Sequence, residues 1–275
     1  MANRLSLSRR SQIIGALVEG NSIRSTERMT DTHRDTIMRL MVEVGTGCEK
    51  LLDDEMRDLS CKRVQVDEIW SYVGKKQRQV TKEDDKTRVG DQWTFVAIDA
   101  DTKLIPAYRV GKRTKPNAVA FMTDLSERLA NRVQISSDAL ASYVDAVEQA
   151  FGADVDYGQA VKFYEAEPIG PGRYSPPKVV RQERTAIAGT PDAAHISTSL
   201  VERQNLTMRM SMRRFTRLTN GFSKKVENHR AAVALHFAHY NFVRTHRTLR
   251  TTPAMAANVS SRLWSLEELV DRTSA

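Results

Sequence analysis

Cysteine is almost missing from this chain: Cys48 and Cys61 are the only two in 275 residues. Two thiols 13 positions apart give neither a disulfide framework nor a Cys-x-x-Cys zinc pair, and they suit a reducing cytosol. Long apolar runs are also missing, since no stretch nears the ~18 unbroken apolar residues of a membrane helix. The opening segment, MANRLSLSRRSQIIGAL, has basic residues but no apolar core followed by a small-residue cleavage site, which disfavours secretion. Proline is scarce outside one region, with five of the eight falling in residues 165–195. That region cannot be one long helix and is expected to be an insertion or active-site loop. What remains is 40% hydrophobic and 28% charged, enough for packed cores over about two domains.

Acidic residues are scarce in one block only. Residues 202–250 carry 11 Lys/Arg against 2 Asp/Glu, while residues 1–60 carry 9 against 10 and residues 61–201 carry 20 against 19. The net charge of +8 therefore comes from one block, the footprint of a polyanion partner, with nucleic acid the leading candidate. A solvated basic helix face would give the same count, so the chemistry has to be sought elsewhere.

The first 60 residues read as three helices. Ile13, Ile14, Leu17 and Val18 have helical spacing and Gly20 stops the first helix. NSIRSTERM gives a second. Thr32 is expected to cap a third, with Asp35 completing a capping box and Gly45 and Gly47 ending it. This pattern fits a small all-α helix-turn-helix domain over 1–60, with His33, Arg34 and Arg39 on the third helix. From Cys61 the period changes to that of strands: CKRVQVDEIWSYV, then two strands around a turn at Asp99–Lys103, a helix over 117–132, a strand VQISSD and a helix over 143–151. Three strands, helix, strand, helix predicts an α/β domain with a mixed sheet. Beyond the proline-rich region, HISTSLVERQNLTMRMSMRRF turns helical, and Ser223, Thr252-Pro253 and Ser265 are expected to cap further helices.

Three carboxylates stand out by context. Asp67 interrupts an apolar strand, Asp138 follows the end of another, and Glu202 opens a helix whose polar stripe continues through Asn205, Arg209 and Arg213. Adjacent strand ends with a helix packed across them can bring all three together. Oxygen-only ligands suit Mg²⁺ or Mn²⁺, and a pair of ions about 3.5–4 Å apart is the usual apparatus for phosphodiester displacement. Taken singly, a strand-end Asp is more often a turn or cap residue than a ligand, and Glu202 suits an N-terminal helix carboxylate favoured by the dipole. Glu68 is expected on the opposite side of the strand from Asp67, in a packing or supporting role.

VQVDEIWSYVGKKQRQ, WTFVAIDADTKLIPAYRVGKRT, ISSDA and VERQNLTMRMSMRRFTRLTNGFSKKVENH, in that order, resemble the transposases of the insertion-sequence-one (IS-one) family over residues 61–257. The resemblance implies an RNase H-like catalytic domain of the DDE type over 61–257, preceded by the helix-turn-helix and followed by a helical tail over 258–275. It implies catalytic and metal-ligating roles for Asp67, Asp138 and Glu202, with two Mg²⁺ ions for which Mn²⁺ can substitute. It implies cleavage and strand transfer at the ends of an insertion sequence, with double-stranded DNA (terminal inverted repeats and target) and a homo-oligomer as partners. It implies no membrane partner and a prokaryotic cytoplasm with nucleoid association as the expected setting. His33, Arg34 and Arg39 would read the repeats; Arg209, Arg213, Arg214, Lys224, Lys225, Arg244 and Arg247 would contact phosphates. The chain departs from relatives that carry a cysteine zinc ribbon, and its segment 165–195 is longer than the corresponding link.

Two other readings stay open: a transposase-derived DNA-binding regulator that does not cut, and an RNase H-like metal-dependent nuclease that cuts without strand transfer. Asp99 and Asp101 are expected in the hairpin turn. Asn241 and His246 are candidates for phosphate contact or, equally, parts of a capped helix end. Met208, Met210 and Met212 are expected in packing, and Trp70, Trp93 and Trp264 as core or interface side chains.

Overall fold

The computed structural model describes residues 4–165, 178–216 and 219–274. At its amino end stand α1 (Leu7–Val18), α2 (Ile23–Thr30) and α3 (Arg34–Glu55), with the Ser6 and Ser22 hydroxyls capping the first two. Two expectations about α3 fail. His33, not Thr32, caps it by accepting from the Asp35 amide, while the buried Thr32 hydroxyl donates to the Thr30 carbonyl at 3.0 Å. The helix also runs straight through Gly45 and Gly47. A Cβ at Gly45 would lie 2.2 Å from the Ala231 carbonyl oxygen, and one at Gly47 would lie 2.0 Å from that of Thr273. These glycines let two other helices approach the α3 backbone; they do not end it.

The sheet is built from β1 (Arg63–Val73), β2 (Gly90–Asp99), β3 (Tyr108–Gly111), β4 (Val133–Ser137), β5 (Val155–Glu165) and β6 (Lys178–Ala188). Its order is β3-β2-β1-β4-β5-β6, with β1, β4 and β5 mutually parallel and the other pairs antiparallel. The chain is thus a mixed α/β protein with a six-stranded mixed sheet, as the strand and helix periodicities predict. Between strands lie α4 (Lys115–Arg128) and α5 (Ala141–Phe151), packed together on one face of the sheet. After it come α6 (Ser199–Ser211), α7 (Val226–Ala238), whose last turn widens into a π-turn over His239–Val243, α8 (Pro253–Ala256) and α9 (Leu266–Thr273).

β5 and β6 are the strands the sequence reading left out, and β6 lies within the segment expected to be a loop. The β6 side chains are almost all exposed, so no buried face imprints an alternation on KVVRQERTAIA. β5 pairs with β4 only over Val155–Gln159, and beyond that it pairs with β6 alone, forming a two-stranded ribbon. The central part of the proline-rich region, 166–177, lies outside the described residues.

A continuous hydrophobic core runs from Ile13, Ile37 and Val44 through Val64, Phe95 and Phe121 to Phe237 and Leu269. Within it α3 lies along α7, and α9 packs against α1 and α3. Thr252 and Ser265 cap α8 and α9 as expected. Ser223 does not cap α7, which begins after Lys225; its hydroxyl instead accepts from the Arg214 Nε at 2.7 Å. Met208 and Met212 are buried as anticipated, but Met210 is 69% exposed. Trp264 is buried and stacks on Phe242, with ring centroids 4.5 Å apart.

Candidate metal centre

The site forms where two parallel strands part. β4 pairs with β1 only from Arg63 to Gln65, then ends at Ser137, so the β1 edge from Val66 onward loses β4 as its neighbour. A crevice at the carboxyl ends of parallel strands, where the chain leaves in opposite directions, is the usual ligand position in open α/β sheets. Asp67 stands on that open edge and Asp138 is the first residue past β4.

Alternation along β1 sends neighbouring side chains to opposite faces, as expected. Asp67 accepts a hydrogen bond from the Asn205 amide of α6 at 2.8 Å, while Glu68 accepts one from the fully buried Tyr143 of α5 at 2.9 Å. Opposite faces do not keep the two carboxylates apart. With β4 gone, both carboxylates share the crevice, and Asp67, Glu68 and Asp138 offer oxygens that all lie within 4.8 Å of one another.

The electrostatics follow from that crowding. Burial, then the charge of Glu68, and further those of Asp138 and Glu202, push the Asp67 carboxyl up to about 7. Burial and the charge of Asp138 raise Glu68, against the pull of Arg113 and Tyr143. Arg113 Nε donates to Glu68 at 2.7 Å, and its guanidinium lies over the Trp93 ring, 4.9 Å from the centroid. Asp138 accepts from the Leu140 amide at 3.0 Å.

Glu202 comes to the same crevice from the other side. Gln65 Oε1 accepts from the Leu200 and Val201 amides at 2.8 and 3.3 Å, which ties the first turn of α6 to β1 just before Asp67. Glu202 is close enough to bear on Asp67, but it is not among the three carboxylates gathered within 4.8 Å. Its Oε1 accepts from Thr198 at 2.7 Å and is ion-paired with Lys162 of β5. Lys162 went unnoticed in the sequence because β5 did; Asn205 was legible as the next step of the polar stripe on α6.

Other singled-out residues separate into two groups. Asp99 binds the amide and hydroxyl of Thr102 and Asp101 pairs with Arg63, so both serve the hairpin turn. Asn241 is wholly buried and bonded to both the amide and carbonyl of Ile105 at 3.0 Å, which removes it as a phosphate contact. Arg214 is turned inward between Ser223 and Met41, and burial lowers it to about 10. It braces the segment before α7 and does not present a cation to solvent. Arg213, Lys224, Lys225, Arg244 and Arg247 are exposed, and Arg209 is half-buried on the last turn of α6. His33, Arg34 and Arg39 are exposed on the first two turns of α3.

No protein-family model matches the sequence, and no curated protein does. Among solved structures, the chain is similar to a "Mos1 transposase paired-end complex with left transposon end", at 13% identity and a TM-score of 0.22, over 54% of this chain and 58% of that one. It is similar at the same TM-score of 0.22 to the "Mos1 Strand Transfer Complex", at 14% identity, over 54% of this chain and 56% of that one. The chain thus spans little more than half the length of these structures. Overlap this slight carries no argument, and the functional reading rests on the geometry of the crevice.

Proposed function

We propose that this chain is a DNA transposase of the DDE type, cutting and joining phosphodiester bonds at the ends of a mobile element. The observation that carries this reading is the meeting of Asp67, within β1, and Asp138, just past the end of β4, with Glu202 facing them from α6. Strand order supports it: β3-β2-β1-β4-β5, antiparallel across the first three and parallel across the rest, is the arrangement expected of an RNase H-like domain. The two transposase titles among the similar structures agree with the reading without adding weight.

The donor set fits divalent cations. The carboxylates offer hard oxygen ligands only, and burial, with the negative charge of Glu68 beside it, leaves Asp67 holding a proton up to about pH 7 unless a cation replaces it. Asp67, Asp138 and Glu202 would hold Mg²⁺ or Mn²⁺, which when bound supplies the charge that activates an attacking oxygen and stabilises a leaving one. The protein's own residues do the rest. Asn205 orients the Asp67 carboxylate by its amide hydrogen bond. Gln65 fixes the start of α6 so that Glu202 faces the crevice. Arg113 balances Glu68, leaving Asp67 and Asp138 without a cationic side chain among their described contacts.

In the same reading, Arg213, Lys224, Lys225, Arg244 and Arg247 neutralise DNA phosphates, and α3 reads the terminal inverted repeats through His33, Arg34 and Arg39. Joining two ends requires them to be held together, which calls for a homo-oligomer. The test is a cleavage and strand-transfer assay on labelled DNA carrying the element's ends, in Mg²⁺, with the wild type beside Asp67→Ala and Glu202→Ala. Joined products from the wild type alone are expected. Cutting without joining would turn the assignment to a nuclease, and salt-sensitive binding without cutting would turn it to a regulator. Activity that survives both substitutions would refute the site.

A further inference from the structure

Four carboxylates face the crevice, and among the described contacts two of them, Glu68 and Glu202, have a cationic partner. Glu68 is paired with Arg113 and Glu202 with Lys162, whereas Asp67 and Asp138 take hydrogen bonds from an amide side chain and a backbone amide. The two cations differ in how they are held. Arg113 makes two contacts to Glu68 and lies over Trp93, so it is fixed on both sides. Lys162 makes one point-charge contact, from the part of β5 that has already left β4 and pairs only with β6. Its side chain is only 18% exposed, so its ammonium is committed to the crevice rather than to solvent. Lysine on a flexible stem is the more easily displaced of the two cations.

From this we infer that Lys162 is a counter-ion latch on Glu202: it occupies the carboxylate that a second divalent cation needs, and it is released toward a DNA phosphate when that cation binds. The inference rests on the metal-binding reading of Asp67, Asp138 and Glu202 given above. Without DNA the crevice takes one cation at Asp67 and Asp138, where no cationic side chain competes among the described contacts. The second competes with the Lys162 ammonium for Glu202, so its affinity is lowered by the strength of that ion pair. A phosphate that accepts Lys162 removes the competition, and by thermodynamic reciprocity the second cation then strengthens phosphate binding by the same factor. Lys162 is therefore a positioning residue that couples metal loading to the arrival of substrate.

The test counts bound Mn²⁺ by electron paramagnetic resonance on the full chain without DNA, so no turnover enters the readout. The wild type is expected to bind one Mn²⁺ tightly and a second weakly. Lys162→Met should tighten the second by about 2–5-fold, the size of one partly exposed ion pair, and leave the first unchanged. Glu202→Gln should abolish the second in either background. Lys162→Gln, which keeps a hydrogen-bonding side chain, provides the same comparison if the methionine variant folds poorly. An unchanged or weakened second site in the Lys162 variants, with Glu202→Gln still abolishing it, would overturn the latch and spare the metal-binding reading. A second site indifferent to Glu202→Gln would overturn both.

Discussion

Asp67 is the residue at which stability and function pull against each other. Its carboxylate is buried beside Glu68, Asp138 and Glu202, so without a cation its charge costs folding energy, and it titrates near 7. Asp67→Asn removes that charge and keeps an oxygen able to accept from Asn205. In chelator at pH 8 the variant should therefore be more stable than the wild type, by about 1–2 kcal/mol, as read from urea midpoints. In millimolar Mg²⁺ the order should reverse, because a ligand that binds only the folded state raises its stability and the variant has lost that ligand. A wild type whose melting temperature does not respond to Mg²⁺ or Mn²⁺ would contradict a metal at this site. Asp67 and Asp138 stand out in the sequence because they interrupt or follow a strand pattern and Glu202 because it opens a polar stripe, but it is the family resemblance that joins the three. Glu68 could not be placed with them, since strand alternation sends it away and only the loss of β4 at Gln65 brings its carboxylate back.

At the scale of elements, the long helix α3 holds the two ends of the chain together. Gly45 and Gly47 admit the backbones of α7 and α9 to distances that no side chain allows. Gly45→Ala and Gly47→Ala gain intrinsic helix propensity of about 1 kcal/mol each, yet should destabilise the protein by about 2–4 kcal/mol, because the packed helices must separate. A neutral or positive change in the denaturant midpoint for either variant would show that the close approach is not needed. The same pair explains one limit of the sequence reading. Glycine ends a helix when it sits past the last apolar residue, and nothing in one sequence reveals a second helix pressed against it from 180 residues away. Most elements were legible where one face is buried and the other is not, as in α1, β1, β2 and α4. β6 was illegible because neither face is buried, and β5 because half of it leaves the sheet.

For the molecule as a whole, the basic block and the buried histidines set how the protein responds to its solvent. Arg213, Lys224, Lys225, Arg244 and Arg247 are exposed in a block of 11 Lys/Arg and 2 Asp/Glu. Five phosphate contacts would make log K for duplex DNA fall against log salt with a slope of about −4 to −5. Lys224→Ala and Lys225→Ala should each flatten that slope by about one, while Arg214→Ala should instead lower thermal stability, because its guanidinium is spent on Ser223 and Met41. A slope unchanged by both lysine variants would place the DNA elsewhere.

Acid should unfold the chain through α7, the helix that lies between Lys225 and Arg244. His229 and His236 on α7, and His239 at the start of its π-turn, are buried, His229 with its Nε2 3.1 Å from the Ser71 hydroxyl. Burial lowers them first; Arg214 and Arg230 add to this at His229, His239 and Arg244 at His236, and Arg244 at His239. The values reach about 3 for His229 and His236 and about 4 for His239. The unfolded chain binds protons at these histidines below about 6.5, and the folded chain does not. Their titration therefore costs nothing above about pH 6.5, and each costs about 1.4 kcal/mol per pH unit as the pH falls from there toward the folded values. Asp67 acts in the opposite sense, since its raised value makes the folded state the better proton acceptor between about 4 and 7. Three histidines against one aspartate leave a net loss of about 3 kcal/mol per pH unit at the steepest point, enough to unfold a typical domain near pH 4–5. Asp67→Asn, which removes the opposing carboxylate, should steepen that loss, so the variant that is more stable than the wild type at pH 8 in chelator should lose its advantage on acidification. Urea midpoints of both proteins between pH 8 and 5 check this, and parallel curves would show that Asp67 does not titrate in that range.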